Sequence, residues 1–323
     1  MNARAALVAA LVGMAVVAPA RASQLIDRNA TNVSLKVNDR GQALIEYRVH
    51  GTQRHVLAWG AVNARVPPAR EDPSRPQVKF RVDYSGGWGT YGKALWPTFR
   101  NTCRAYDGPK LPWFLTGCKA SDGSLWALQA WQVELPNLGY TPWLPAQKSW
   151  RLVLSHWTGP VARIDGYADW AFAGRWHEIF GRVTYRGQPV HGYRTTRTGG
   201  VLDGYGRTMY LDTFDSAYGA GWRRENGFVP HNPNGNFCYD FIPHDPTHGG
   251  YVHPPGSAAV RPPGKGARYR LTLLGPGVTP DVQWVGKGLP DFDPANPALV
   301  DLENRMNAIH DSLSARDTLC HQH

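Results

Sequence analysis

The sequence predicts an all-β protein of two antiparallel β-sandwich modules with long loops and one closing amphipathic helix. Three observations carry this reading. Apolar residues alternate with polar ones at period two over many short stretches, the signature of half-buried strands. The 323 residues contain 35 glycines and 26 prolines, a density that breaks the chain every few residues and excludes a helical bundle. Only one stretch, at the C-terminal end, repeats at 3.6 residues.

The first 22 residues are set apart. Arg4 opens a basic start, Ala5 to Val17 is apolar apart from Gly13, and Ala20-Arg21-Ala22 offers a small-x-small cleavage site before Ser23. This reads as a secretory signal peptide, too short for a comfortable transmembrane span. No later run reaches 18 apolar residues, so the expectation is a secreted or periplasmic chain without a transmembrane segment. In an oxidising compartment the four cysteines, Cys103, Cys118, Cys238 and Cys320, read as two disulfides. Three pairings exist; the preferred one closes a local loop, Cys103–Cys118, and ties a strand to the tail, Cys238–Cys320. No CxxC occurs, which disfavours thiol redox chemistry and a zinc ribbon.

From residue 23 to 178 an N-terminal sandwich is expected. Val33 to Val37, Ala43 to Val49 and Val56 to Val62 form a meander around the turn Asn38-Asp39-Arg40-Gly41. Strands follow at 77–84, 124–134 and 149–157, with two more at 161–172 and 176–186. Trp126, Trp131, Trp150, Trp157 and Trp170 sit on these strand patterns and read as core. Between them, residues 85–122 form a long irregular region, expected to be pinned by the first disulfide. A second module is expected over 179–290. There, 197–232 reads as another turn-rich stretch, 244–264 as a His-, Pro- and Gly-rich loop, and 267–274 as a clean strand. In 291–323, Asn296 can cap a helix with Pro297 at its first position, and Leu299, Leu302, Met306, Ile309 and Leu313 form one stripe.

Gly181-Arg182-Val183-Thr184-Tyr185-Arg186-Gly187-Gln188-Pro189-Val190, then Asn234-Gly235-Asn236-Phe237 with a strand ending at Pro243, resembles the carboxypeptidase regulatory-like family. The resemblance covers about 180–285. It implies a transthyretin-like β-sandwich, of a kind that usually binds, spaces or stabilises rather than catalyses. The chain departs from the pattern between Val190 and Asn234, where an elaborate insertion is implied. The residues of 23–179 carry no motif from which a family resemblance is drawn.

The net charge is +10, and loss of Arg4 and Arg21 with the leader leaves +8. This favours anionic partners such as acidic glycans or cell-envelope polymers, although a dispersed basic surface also serves solubility. No Lys/Arg run suggests a dedicated nucleic-acid arm. The aromatic and Arg-rich loops are the leading candidate site: Trp88, Tyr91, Trp96 and Trp113 in the first, and Tyr205, Tyr218, Trp222, Arg223 and Arg224 in the second. Flat rings stack on sugars, and guanidinium forks grip carboxylates or phosphates. The same rings could equally fill a core between the modules. The expected function is a secreted, non-enzymatic protein recognising polysaccharide or a cell-envelope surface. No cofactor is expected, with one reservation. His244, His248 and His253 crowd one loop and could hold a metal, or simply face water. The alternative function is a secreted hydrolase, carbohydrate-active or metal-dependent, using those histidines or Asp203, Asp212 and Asp215. No HExxH and no G-x-S-x-G supports it.

Overall fold

Alternating strands with one apolar side must bury that side against another sheet. A computed structural model shows how they do so. It describes residues 23–60, 62–63, 80–132, 149–171, 174, 176–195, 201–204, 207–216, 219–224, 236–240, 265–275 and 279–314. The first nine strands are β1 (Gln24–Arg28), β2 (Thr31–Val37), β3 (Gln42–Val49), β4 (Thr52–Gly60), β5 (Phe80–Asp83), β6 (Arg104–Ala105), β7 (Phe114–Lys119), β8 (Leu125–Gln132) and β9 (Trp150–Trp157). They make two antiparallel sheets, ordered β2-β3-β4-β5 and β1-β9-β8-β7-β6. Val37, Ile45, Val56 and Ala58 of one sheet meet Ile26, Trp126, Leu128 and Leu154 of the other, forming the first core.

Ten further strands follow: β10 (Arg163–Ala171), β11 (Trp176–Tyr185), β12 (Gln188–Pro189), β13 (Arg194–Thr195), β14 (Val201–Leu202), β15 (Thr208–Ser216), β16 (Gly219–Arg224), β17 (Asn236–Asp240), β18 (Arg268–Leu273) and β19 (Val282–Lys287). β10, β11 and β12 form one sheet, with β17 also paired to β11, on the edge away from β10. The other sheet is β13-β14-β15-β18-β19, with β16 also on β15. Ile179, Val183 and Phe237 pack against Met209, Leu211, Tyr269, Leu271 and Leu273 as a second core.

Two expectations need correction. The sequence boundary at 178/179 falls inside β11, because β10 pairs with β11 along its full length and so belongs to the second pair of sheets. Residues 197–232, read as turn-rich, instead contain β14, β15 and β16. β15 is central: Met209, Leu211 and Thr213 face the core while Tyr210, Asp212 and Phe214 face outward, and that polar, aromatic outer row hides the alternation.

The C-terminal helix forms as expected over Pro297–Ser314 (α2, following the short helix α1 at Trp88–Tyr91). Asn296 Oδ1 accepts the Ala298 N–H at 3.1 Å, so the cap is real. Met306, Ile309 and Leu313 dock against Tyr167, Phe180 and Cys238. His310 stacks on Phe180 at 4.3 Å. No described helix is long and apolar enough to cross a membrane. Cys103 and Cys118 form a disulfide. Cys238 is also disulfide-bonded; Cys320, its expected partner, lies outside the described residues, as do residues 1–22.

The two sandwiches meet through the outer face of β8 and β9. Trp131 and Val153 pack with Leu274, with Leu25, Trp113 and Tyr210 beside them. Both faces of β8 are therefore covered, which explains why its side chains read as an almost continuous buried run.

Candidate functional site

The site is built on the outer face of β15, β16 and β18. Register fixes it: Asp212 lies opposite both Arg224 and Arg270, and Phe214 lies opposite Trp222 and Arg268. Because side chains alternate, Tyr210, Asp212, Phe214, Trp222, Arg224, Arg268 and Arg270 all share this face.

Charge and ring contacts interleave across it. Arg224 Nε donates to Asp212 Oδ1 at 2.5 Å. Arg270 donates to Oδ2 through Nε at 2.9 Å and through Nη2 at 2.8 Å. Asp212 is 2% exposed and Arg224 5%, so this triad is held in a largely dry setting where each partner compensates the others. The Arg224 guanidinium lies 4.1 Å over the Tyr210 ring. That of Arg270 lies 4.3 Å over Trp222 and 5.5 Å from the Trp113 ring. Arg268 sits 4.1 Å over Phe214. Cation–π contact and flat stacking fix these otherwise flexible side chains in place.

The first sandwich closes the site. Trp113 takes φ 50°, a left-handed conformation rare for an aromatic residue, and its carbonyl accepts the Ala130 N–H at 3.0 Å. Its ring stacks on Trp131 at 5.9 Å, and Trp131 meets Tyr210 edge-on at 5.7 Å. Trp150 begins β9, its N–H held by Asn29 Oδ1 at 2.9 Å. Trp113, Gln132, Trp150, Asp212, Trp222 and Arg270 line a cavity of about 340 Å³ between the two sandwiches. Three indole rings thus surround a buried, charge-paired floor, in a volume suited to one or two small rings.

The sequence candidates divide. Trp113 and Trp222 come together in the cavity, and Arg224 lies beneath it in the Asp212 triad. Trp88, Tyr91 and Trp96 are elsewhere, on the outer face of β3 and β4. Trp96 stacks on His55 at 4.5 Å, and the Tyr91 hydroxyl accepts from Gln42 Nε2 at 2.7 Å. Gly86 lets this cover close down, since a Cβ there would lie 2.7 Å from the Trp96 ring. Trp88 is 58% exposed. Arg223 pairs with Thr213 in β16, its side chain outside the described residues. Tyr205, Tyr218, His244, His248 and His253 lie outside the described residues. Among the described residues no cluster of three His, Cys, Asp or Glu could hold a metal.

The carboxylates of the hydrolase alternative are dispersed in role. Asp203 is fully buried and paired with Arg207 at 2.5 Å, holding the turn between β14 and β15. Asp215 takes φ 50° and accepts the Gly221 N–H at 2.7 Å, shaping the β15–β16 hairpin. Asp212 alone reaches the cavity.

Trp126, Trp131, Trp157 and Trp170 are buried, as their strand patterns imply. Trp150, read as core, is corrected: it is 48% exposed and forms a wall of the cavity. Arg270 was not anticipated as a site residue at all. The clean alternation of β18 placed it on an outer face, but its pairing with Asp212 depends on a register between residues 58 apart in the chain. No family model matches this chain, and neither the curated proteins nor the solved structures contain a match to it.

Proposed function

We propose that the protein is an exported, non-catalytic binding protein that takes an acidic polysaccharide of the cell envelope into the Trp113–Trp150–Trp222 cavity. The observation that carries this is the placement of three indole rings around Arg270 at the junction of two sandwiches. Indole faces stack on the apolar faces of sugar rings, and the exposed Arg268 beside them suits a sugar carboxylate. The face around the cavity carries Arg224, Arg268 and Arg270 against Asp212, an excess of positive charge that favours an anionic ligand. The Cys103–Cys118 disulfide is compatible with the oxidising compartment that a leader over 1–22 implies.

Binding suits the site better than hydrolysis. A glycosidase needs two carboxyl groups facing each other across the bond. The described lining contains one, and both its oxygens accept from arginines. The second sandwich, in which β12 and β17 both pair with β11, is proposed as transthyretin-like on the sequence resemblance alone.

Retention of the protein on an immobilised acidic polysaccharide tests the proposal. Trp222→Ala and Trp113→Ala are each expected to weaken binding about fivefold or more, on the scale of about 1–3 kcal/mol for a lost ring stack. Trp88→Ala, outside the cavity, is expected to leave retention unchanged. Equal loss with Trp88→Ala, or no retention of the unsubstituted protein at low salt, would overturn it.

A further inference from the structure

A buried carboxylate marks the junction between the sandwiches. Asp281, just before β19, is fully buried. Its Oδ1 accepts from Ser23 Oγ at 2.7 Å and from the Gly275 N–H at 3.2 Å, and its Oδ2 accepts from Trp131 Nε1 at 3.0 Å. Gln129 completes the grip, donating to the Asp281 carbonyl and accepting the Asp281 N–H, both at 3.0 Å. Ser23, Gln129 and Trp131 belong to the first sandwich, and Gly275 and Asp281 to the second. Every described side-chain partner of this carboxyl group is neutral. Arg151, on β9, is the charged side chain that acts on it from the neighbouring strand.

Ser23 is also the residue that follows the small-x-small site at Ala20-Arg21-Ala22. It is 2% exposed, so whatever its α-nitrogen carries is held near the junction. That nitrogen is three bonds from the hydroxyl oxygen that already touches Asp281.

We propose that Ser23 becomes the N-terminal residue of the mature protein and that its α-ammonium pairs with the Asp281 carboxylate, locking the two sandwiches together after the leader is removed. This rests on the exported reading above. Hydrolysis of the Ala22–Ser23 peptide bond by a leader peptidase consumes one water. The carboxylate stays on Ala22, the amine on Ser23, and at neutral pH that amine takes up a proton. Before cleavage the hydrogen bonds to the Asp281 carboxyl among the described residues come from neutral groups; afterwards an ammonium is supplied within its own residue neighbourhood. Burial pushes the Asp281 carboxyl up to about 6 in the uncut chain, so its ionised form there carries a desolvation penalty that an ordinary carboxylate does not. A new cation reverses that penalty.

The test compares two chains of defined start: one beginning at Ser23 with a free amine, and one in which two glycines precede Ser23 and carry the amine away. Each is made with Asp281 and with Asp281→Asn. At pH 7 the Ser23-start chain is expected to melt about 3 °C or more above the extended chain, with no gap in the Asp281→Asn pair. The ammonium gains a partner in the folded state, so its contribution is present below the ordinary amine pKa of about 8 and is lost as the pH rises through its raised folded value. The gap is therefore expected to close in strongly alkaline buffer, which carries the test if Asp281→Asn fails to fold. Equal melting temperatures, or a gap that survives Asp281→Asn or high pH, would overturn the proposal. So would an exported protein whose first residue, read by mass spectrometry, is not Ser23. Glycan retention is measured on the same chains, so failure of the ligand reading shows separately.

Discussion

Asp212 decides what the cavity can do. It lies under the indole rings, yet its two oxygens accept from Arg224 and Arg270, so it organises cations instead of offering a free base. Removing one member of a buried charge group leaves the rest uncompensated. Asp212→Asn is therefore expected to cost about 3 kcal/mol of stability, read from urea denaturation, and to weaken ligand retention by freeing the Arg270 fork from its position over Trp222. A variant as stable as the parent would contradict the triad's role. Trp113 and Trp222 were legible in the sequence because aromatic residues beside arginines in Gly-rich segments suggest a loop-borne site. Trp150 was not, because a tryptophan heading a period-two strand looks the same whether it faces a core or a cleft. The difference lies in the second sandwich, which the local sequence of β9 does not encode.

The strands were legible wherever one face is apolar and the other polar. β2 and β18 follow their alternation closely. β15 was lost among turns because its outer row, Tyr210-x-Asp212-x-Phe214, is aromatic and charged, and its inner row includes Thr213. The helix α2 was the most legible element, with cap, proline and stripe all in place. It also covers a titrating group. Asp169 on β10 is buried and its carboxyl is pushed up to about 7, chiefly by desolvation, with Glu303 of α2 adding repulsion. A carboxyl whose folded value is raised above its ordinary 3.8 disfavours folding once ionised, so this contribution to stability falls as the pH climbs from about 4 through 7. Asp169→Asn stays neutral and can still accept the Trp170 N–H, which Asp169 accepts at 2.8 Å. It is expected to match the parent near pH 4 and to exceed it by about 2–4 kcal/mol at pH 8. A constant difference across that range would show that the Asp169 carboxyl titrates at its ordinary value in the folded protein.

At the scale of the molecule, the site exists because two sandwiches meet. Trp113, Gln132 and Trp150 come from the first, and Asp212, Trp222 and Arg270 from the second. Neither half has the cavity alone, and no spacing within either half announces it. The sequence did show that glycine and proline collect around the aromatic and arginine residues. The structure shows that only part of this material converges: the 88–96 aromatics cover the outer face of β3 and β4, while Trp113 and Trp222 reach the junction. The most direct measurement is a calorimetric titration of the protein with an acidic oligosaccharide and with its carboxyl-reduced counterpart, repeated with Trp222→Ala. The account predicts saturable binding of the acidic form, at least tenfold weaker binding of the reduced form, and loss of both with Trp222→Ala. Equal affinity for the two forms would contradict the role given to the arginines, and unchanged binding by Trp222→Ala would contradict the cavity as the site.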